Sequence, residues 1–365
     1  MSASIAFFGS SLVSAYWNGA ATYYRGLIRA LHARGHRITF YEPHAYERQE
    51  HRDISDPDWA TVVVYEPTDA VAVRAVVQRA RDADIVVKCS GVGVFDHVLE
   101  EAVLDLAGPE TRILWDVDAP ATLARMERVP TDALRGLVPE YDLVLTYGGG
   151  DAVVRRYGAL GARRCVPIYN GVDPDTHHPE PPQPEYKADL TLVANRLPDR
   201  EARIGEFFFR AAELAAGQRF LLGGNGWEGG APANVALLGH VTTGRHNAVN
   251  CSAHAVLNVS RDSMVANGFS PATRVFEAAG AAACLITDAW EGIEMFFVPG
   301  EEILVAADGA EVANLVTELD PGRAAAIGAA ARERALAEHT YTDRAAQLEQ
   351  VLAGAGEATA VTGAG

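Results

Sequence analysis

Carboxylates, guanidinium groups and glycine-rich turns recur in this chain just beyond short apolar runs, and those are the residues that could do chemistry. In LWDVDAPAT, Asp116 and Asp118 alternate by two at the end of such a run, so both side chains should point to one side of a strand. A carboxylate placed there can act as a general base on a hydroxyl. The pair can also supply oxygen ligands to a divalent ion, and Asp118 can simply cap the helix that begins at Ala119-Pro120. In TRVFEAAGAAACLITD a lone carboxylate, Glu277, sits among small apolar residues with Arg274 three positions before it on the same helix face. It reads either as half of a surface ion pair or as an acceptor for vicinal hydroxyls of a sugar ring.

Around Glu277 the second half offers groups suited to an anion. The run ADLTLVAN delivers Asn195 and Arg196, with Arg200 across the turn LPD; two guanidinium groups beside a strand end suit a diphosphate, or form a solvated basic corner. LGGNGWEGG carries Gly224 and Trp227, an aromatic that can stack on a ring or fill a gap. LLGHV places His240 and Val241 where main-chain groups can pair with a planar base. LNVSRDS brings Asn258, Ser260 and Arg261, and Gly268, Phe269 and Ser270 precede a helix expected to start near Pro271, whose amides favour an anion.

The first half offers polar loops. GSSLVSAYWNGAA contains Ser10 and Ser11, then Asn18 and Gly19 at a helix start that Asn18 can cap over a packed Trp17; it lacks the GxGxxG spacing of a dinucleotide fingerprint. In CSGVGVFDHV, Ser90 and Gly91 let a ligand approach the backbone, while Asp96 and His97 open the next helix. YGGGDAVV reads as an anion cradle or a mobile glycine wall.

These loops need rigid elements to position them. Thirteen short apolar runs alternate with amphipathic stretches: SIAFFG, RITFYEP, TVVVYE, DIVVKCS, RILWDVD, DLVLTY and RCVPIY, then ADLTLVAN, QRFLLGG, NVALLGHV, AHAVLNVS, AACLITD and EEILVAA. That alternation predicts parallel sheets covered by helices on both faces. From about Asn18 to Arg34, a helix with Tyr24, Leu27, Ile28 and Leu31 on its apolar stripe is expected. The proline-rich VDPDTHHPEPPQPEYK reads as an extended linker. The expected organisation is a first domain over 1–170, a linker over 171–187, a second domain over 188–338, a helix over 339–354 that packs back on the first domain, and a disordered tail over 355–365. Two doubly wound domains should face one another across a cleft that holds the ligand.

At 365 residues, 48% hydrophobic and 22% charged, the chain has the length of two domains and an ordinary globular composition. No apolar run approaches the ~20 residues of a membrane helix, and the amino end reads as a strand instead of a signal segment, which places the protein in the cytoplasm. A net charge of −17 argues against nucleic acid or an anionic membrane as partner. Cys89, Cys165, Cys251 and Cys284 have no metal-like spacing and read as buried small hydrophobes.

NRLPDRE, GGNGW, LGHV, LNVSRDS, RVFEAAGAAACLITD, PGEEIL and EHTYTDRA, supported by YNGVDPDTHHP and DVDAP, resemble the GT-B glycosyltransferases over nearly the whole chain, in particular the branch typified by the spore maturation protein CgeB. The resemblance implies two Rossmann-like domains, a nucleoside diphosphate sugar bound by the second, with UDP favoured, and an acceptor hydroxyl or amine bound by the first. It puts Glu277 on the ribose hydroxyls, Arg196 and Arg200 near the diphosphate, Val241 by the base and Gly268 to Ser270 at the phosphates. Many retaining members carry a glutamate eight positions before the ribose-binding one; here that residue is Phe269, which leaves the stereochemical outcome open. The resemblance also implies no metal and no cofactor, so Asp116 and Asp118 would not be a metal pair. From its position after the strand, Asp118 is the expected base if the reaction inverts. A monomer or homodimer is expected. An epimerase or hydrolase on the same scaffold, or a non-catalytic nucleotide-sugar-binding protein, are the rival readings.

Overall fold

The structure is a computed structural model that describes the backbone of residues 2–361 and the side chains of residues 2–354. Each of the thirteen apolar runs forms a strand. They are β1 (Ser4–Phe8), β2 (Arg37–Pro43), β3 (Thr61–Tyr65), β4 (Ile85–Cys89), β5 (Thr111–Asp116), β6 (Leu143–Thr146), β7 (Cys165–Pro167), β8 (Ala188–Val193), β9 (Phe220–Gly223), β10 (Val235–Gly239), β11 (Ala253–Asn258), β12 (Leu285–Asp288) and β13 (Leu304–Ala306). Among the described residues they build two sheets, ordered β3-β2-β1-β4-β5-β6-β7 and β10-β9-β8-β11-β12-β13, with every pairing parallel.

Contacts divide the chain into two units, one running to Tyr169 and resuming at Tyr341, the other spanning Asn170–Thr340. In the first, successive residues of β1 feed opposite faces: Ile5 and Phe7 pack with Phe40 and Trp115 under the helix Ala21–Ala33, while Ala6 and Phe8 pack with Tyr41 and Val86 under the helices Ala70–Val77 and Asp96–Leu104. Burial on both faces is what a parallel sheet requires and why its strands read as unbroken apolar runs. In the second unit Leu190, Leu192, Phe220 and Leu222 line one face, and Leu221 with Val249 lines the other.

The helix Ala21–Ala33 buries Tyr24, Leu27, Ile28 and Leu31, but it starts three residues later than expected. The helix Tyr341–Val361 belongs to the first unit: Tyr341, Ala345, Leu348 and Val351 join the same core as Tyr23 and Leu31. Its first residue needs Gly26, because a Cβ there would stand 2.0 Å from the Tyr341 ring. The backbone expected to be disordered from 355 is helical to Val361; residues 362–365 lie outside the described residues.

The segment 171–187 is docked on the second unit. Asn247 Nδ2 donates to Thr176 O at 2.9 Å and to Glu180 Oε1 at 3.0 Å, and Gln183 N donates to Ser252 Oγ at 2.8 Å. No helix among the described residues is long and apolar enough to cross a membrane.

Candidate active site

In the second sheet the chain order reverses at β8, whose neighbours are β9 and β11, and the loops beyond such a strand are where parallel α/β sheets take ligands. Main-chain and amide bonds clip those loops together. Arg196 N donates to Asn225 O at 2.9 Å, Asn225 N to Asn195 Oδ1 at 2.9 Å, and Gly224 N to Gly239 O at 2.7 Å. His240 follows Gly239 and is half-buried, and the buried Val241 side chain packs over Gly223.

Trp227 is anchored: its Nε1 donates to Ala194 O at 2.6 Å and its ring meets Phe209 edge-on at 5.7 Å. The Arg196 guanidinium lies over that ring, 5.9 Å from its centre, and pairs with Glu201. Arg200 Nη2 donates to Asn195 O at 2.9 Å, and Arg261 pairs with Asp199 at 2.6 Å. The three arginines therefore stand at the rim of these loops, each held by a neighbouring acceptor.

Asn258 and Ser260 are buried in a hydrogen-bonded network. Asn258 Nδ2 donates to Thr287 Oγ1 at 3.0 Å, and Ser260 donates from N and Oγ to Asp288 Oδ1 at 3.1 Å each. Arg203 closes this network with a 2.7 Å bond to Asp288. Burial pushes the Asp288 carboxyl above its ordinary range even though Arg203 and Ser260 pull it down. The network ties the ends of β11 and β12 together.

The helix next to this point is Thr273–Gly280, two residues later than Pro271. The preceding turn is committed internally: Phe269 N donates to Glu291 O at 2.6 Å, Ser270 Oγ to Gly268 O at 2.9 Å, and the Phe269 ring lies where a Cβ on Gly292 would stand. Phe269 and Ser270 thus hold the turn, and their expected phosphate contacts are not available from that amide and hydroxyl.

Arg274 does not form the surface ion pair considered for it. Its Nη2 donates to Val193 O at the end of β8, and burial lowers its pKa while the nearby Glu277 charge raises it. Glu277 is 7% exposed. Two histidines that sequence reasoning passed over meet it. His177 Nε2 stands 4.0 Å from Glu277 Oε1, and His246 Nδ1 stands 3.7 Å from Glu277 Oε2. Burial pushes His177 down to about 4, against the upward pull of Glu277. For His177 the sequence signal was the His-His doublet inside a segment whose prolines argued for a linker; His246 carried none.

In the first unit, Asp116 and Asp118 are not an open pair. Asp116 is buried and accepts from Tyr157 Oη, from Thr122 Oγ1 at 3.1 Å and from Asp118 N at 3.0 Å. Asp118 occupies the cap position of the helix Ala119–Arg128 with no side-chain cap bond, so capping does not explain its carboxylate. Its Oδ2 lies 3.9 Å from where a Cβ on Gly91 would be, and neighbouring Ser90 Oγ accepts from Val117 N at 2.9 Å. Ser90, Gly91 and Asp118 therefore converge beyond β4 and β5.

Ser10, Ser11 and Asn18 are buried and hydrogen-bond within the first unit. Ser10 Oγ donates to Asn18 Oδ1 at 3.0 Å, Ser11 Oγ to Glu42 Oε1 at 3.0 Å, and Asn18 Nδ2 to Ser11 O at 2.8 Å and Ser14 O at 3.0 Å. Asn18 closes this loop instead of capping a helix, Gly19 is exposed, and Trp17 is 41% exposed instead of packed beneath.

A protein-family model described as "Glycosyl transferase-like" matches residues 200–350. No curated protein matches the chain. Among solved structures, a sucrose-phosphate synthase from Thermosynechococcus elongatus is similar at 15% identity with a TM-score of 0.68, over 98% of this chain and 100% of that one. The Anabaena protein HepE in complex with UDP and glucose is similar at 15% identity and TM-score 0.67, over 96% and 100%. An α-glucosyltransferase in complex with UDP-glucose and DNA containing an abasic site is similar at 10% identity and TM-score 0.70, over 96% and 99%. Likeness at such identity establishes the fold, the pair of doubly wound α/β units of the GT-B architecture.

Proposed function

We propose that the chain is a glycosyltransferase that moves a sugar from a nucleoside diphosphate donor, UDP favoured, to a hydroxyl or amine of a small molecule or glycan. The observation that carries this reading is Glu277, a carboxylate kept at 7% exposure beside the switch-point strand, with the Arg274 guanidinium on the same helix aimed at the end of β8. A buried carboxylate matches paired ribose hydroxyls, since both can donate to it. Arg274 inside and Arg196 with Arg200 at the rim supply positive charge for a diphosphate. As the bond from the sugar C1 to the diphosphate oxygen breaks, charge builds on the departing phosphate, and donors already aimed there lower the barrier.

The match over residues 200–350 supports sugar transfer over other uses of this fold, and the UDP bound to HepE supports the choice of nucleotide. The CgeB-like branch is our assignment within that class, resting on NRLPDRE, LNVSRDS and RVFEAAG. We assign the acceptor to the first unit, with Asp118 as base if the reaction inverts. Although one similar structure was solved with DNA, the net charge of −17 favours a small molecule or glycan.

Thermal denaturation against a panel of nucleoside diphosphates and their sugars tests the reading. A ligand at one hundred times its Kd adds about 2.7 kcal/mol to apparent stability, so the cognate nucleotide should raise the melting temperature and a flat panel removes the donor site. Release or isomerisation of the sugar with donor alone would mark a hydrolase or epimerase. Binding without turnover on any acceptor would mark a binding protein.

A further inference from the structure

The proline-rich segment carries an imidazole to Glu277 that recognition of a ribose does not require. His177 is 4% exposed, and its Nε2 has no hydrogen-bond partner. That nitrogen is 4.0 Å from Glu277 Oε1, His246 Nδ1 is 3.7 Å from Oε2, and all three groups' ligand atoms lie within 4.8 Å of one another. These gaps exceed the roughly 2.7–3.2 Å of a hydrogen bond. They approach the spacing of about 3.4 Å between neighbouring ligands of a tetrahedral ion with bonds near 2.1 Å, so shifts of about 1 Å or less would close the site. The segment is built into place: a Cβ on Gly280 would stand 2.8 Å from His177 O, and Asn247 Nδ2 holds Thr176 O at 2.9 Å on one side and His178 Nδ1 at 3.0 Å on the other.

We propose that His177 Nε2, His246 Nδ1 and the Glu277 carboxylate together bind a divalent ion of the zinc class. Two imidazoles and one carboxylate suit Zn2+, which accepts nitrogen and oxygen ligands and leaves a fourth position to water. Mg2+ and Ca2+, which want oxygen ligands throughout, do not suit this set. The ion takes the carboxylate that a donor ribose would use, so metal and nucleotide exclude one another. That exclusion rests on the proposed function; the metal site does not.

The test uses the full chain, stripped with a chelator and titrated with Co2+. A one-to-one visible spectrum of tetrahedral intensity, bleached by Zn2+ and untouched by Mg2+, is expected, with affinity reduced at least tenfold in His177→Ala and His246→Ala. His246 is half-buried, so His246→Ala keeps the test valid if His177→Ala fails to fold; melting curves check both. No cobalt spectrum, or one undiminished in folded His246→Ala, overturns the site. UDP should then release the bound Co2+, and retention of Co2+ while UDP binds overturns the exclusion. A chain that binds Co2+ through these histidines yet, once stripped of metal, melts identically with every nucleotide upholds the metal site and removes the donor reading, so the two failures are told apart.

Discussion

In the proposed donor site, Glu277 would read the ribose through charge as well as shape. Charge-assisted hydrogen bonds contribute about 1.5–3 kcal/mol, so Glu277→Gln should weaken nucleotide binding roughly 10- to 150-fold by calorimetry. The same variant should erase most of the preference for a ribonucleotide over its deoxyribose counterpart; an unchanged preference would move the ribose elsewhere. Asp118 answers a different question. Asp116 accepts from Tyr157, Thr122 and the Asp118 amide, and the proposed reaction assigns the base role to Asp118. Asp118→Asn should slow turnover by about 10²–10⁴-fold at unchanged donor affinity, measured as kcat against nucleotide Kd, and near-normal turnover removes it from the mechanism.

Within single elements, the decisive groups are polar residues inside apolar runs. Lys88 is fully buried in β4 and reaches Asp96 Oδ1 at 2.5 Å and Glu100 Oε1 at 3.5 Å, both on the next helix, Asp96–Leu104. Asp96 also accepts from Gly93 N at 2.7 Å and Val92 N at 3.3 Å, so this cluster shapes the loop that carries Ser90 and Gly91. Lys88→Met strands two carboxylates and should cost about 3–5 kcal/mol in urea denaturation.

Burial alone would raise the Asp96 carboxyl, but Lys88 and the two amides outweigh it and hold it below its ordinary value. A depressed carboxyl stabilises the fold above its unfolded pKa of about 3.9 and loses that contribution as pH falls through the folded value. The stability gap between the wild-type chain and Asp96→Asn should therefore be largest near neutrality and shrink below about pH 4. A gap independent of pH would show that Asp96 acts through shape alone.

At the scale of the molecule, two units with separate cores can unfold separately. Calorimetry should resolve which transition a nucleotide moves, and the location of Glu277 assigns it to the unit Asn170–Thr340. The first unit is completed by a helix that returns from the far end of the chain. Removing residues after Thr340 uncovers Tyr23, Leu27 and Leu31 and deletes the Arg34–Glu349 pair. That truncation should leave the first unit open to proteolysis while the second stays protected.

All thirteen strands were legible as apolar runs, because a parallel sheet buried on both faces demands continuous hydrophobicity and the local composition records that demand. Glu277 and Arg274 were visible for a related reason: charge inside a small-residue helix is locally out of place. Tertiary structure alone decided what those groups meet. Arg274 turns to Val193 O, Asp116 to Tyr157, and Asn258 with Ser260 to Thr287 and Asp288, across separations that composition does not encode. A proline-rich stretch reads as linker because it lacks apolar periodicity. Yet it docks through main-chain bonds to Asn247 and close approach at Gly280, and so brings His177 to Glu277.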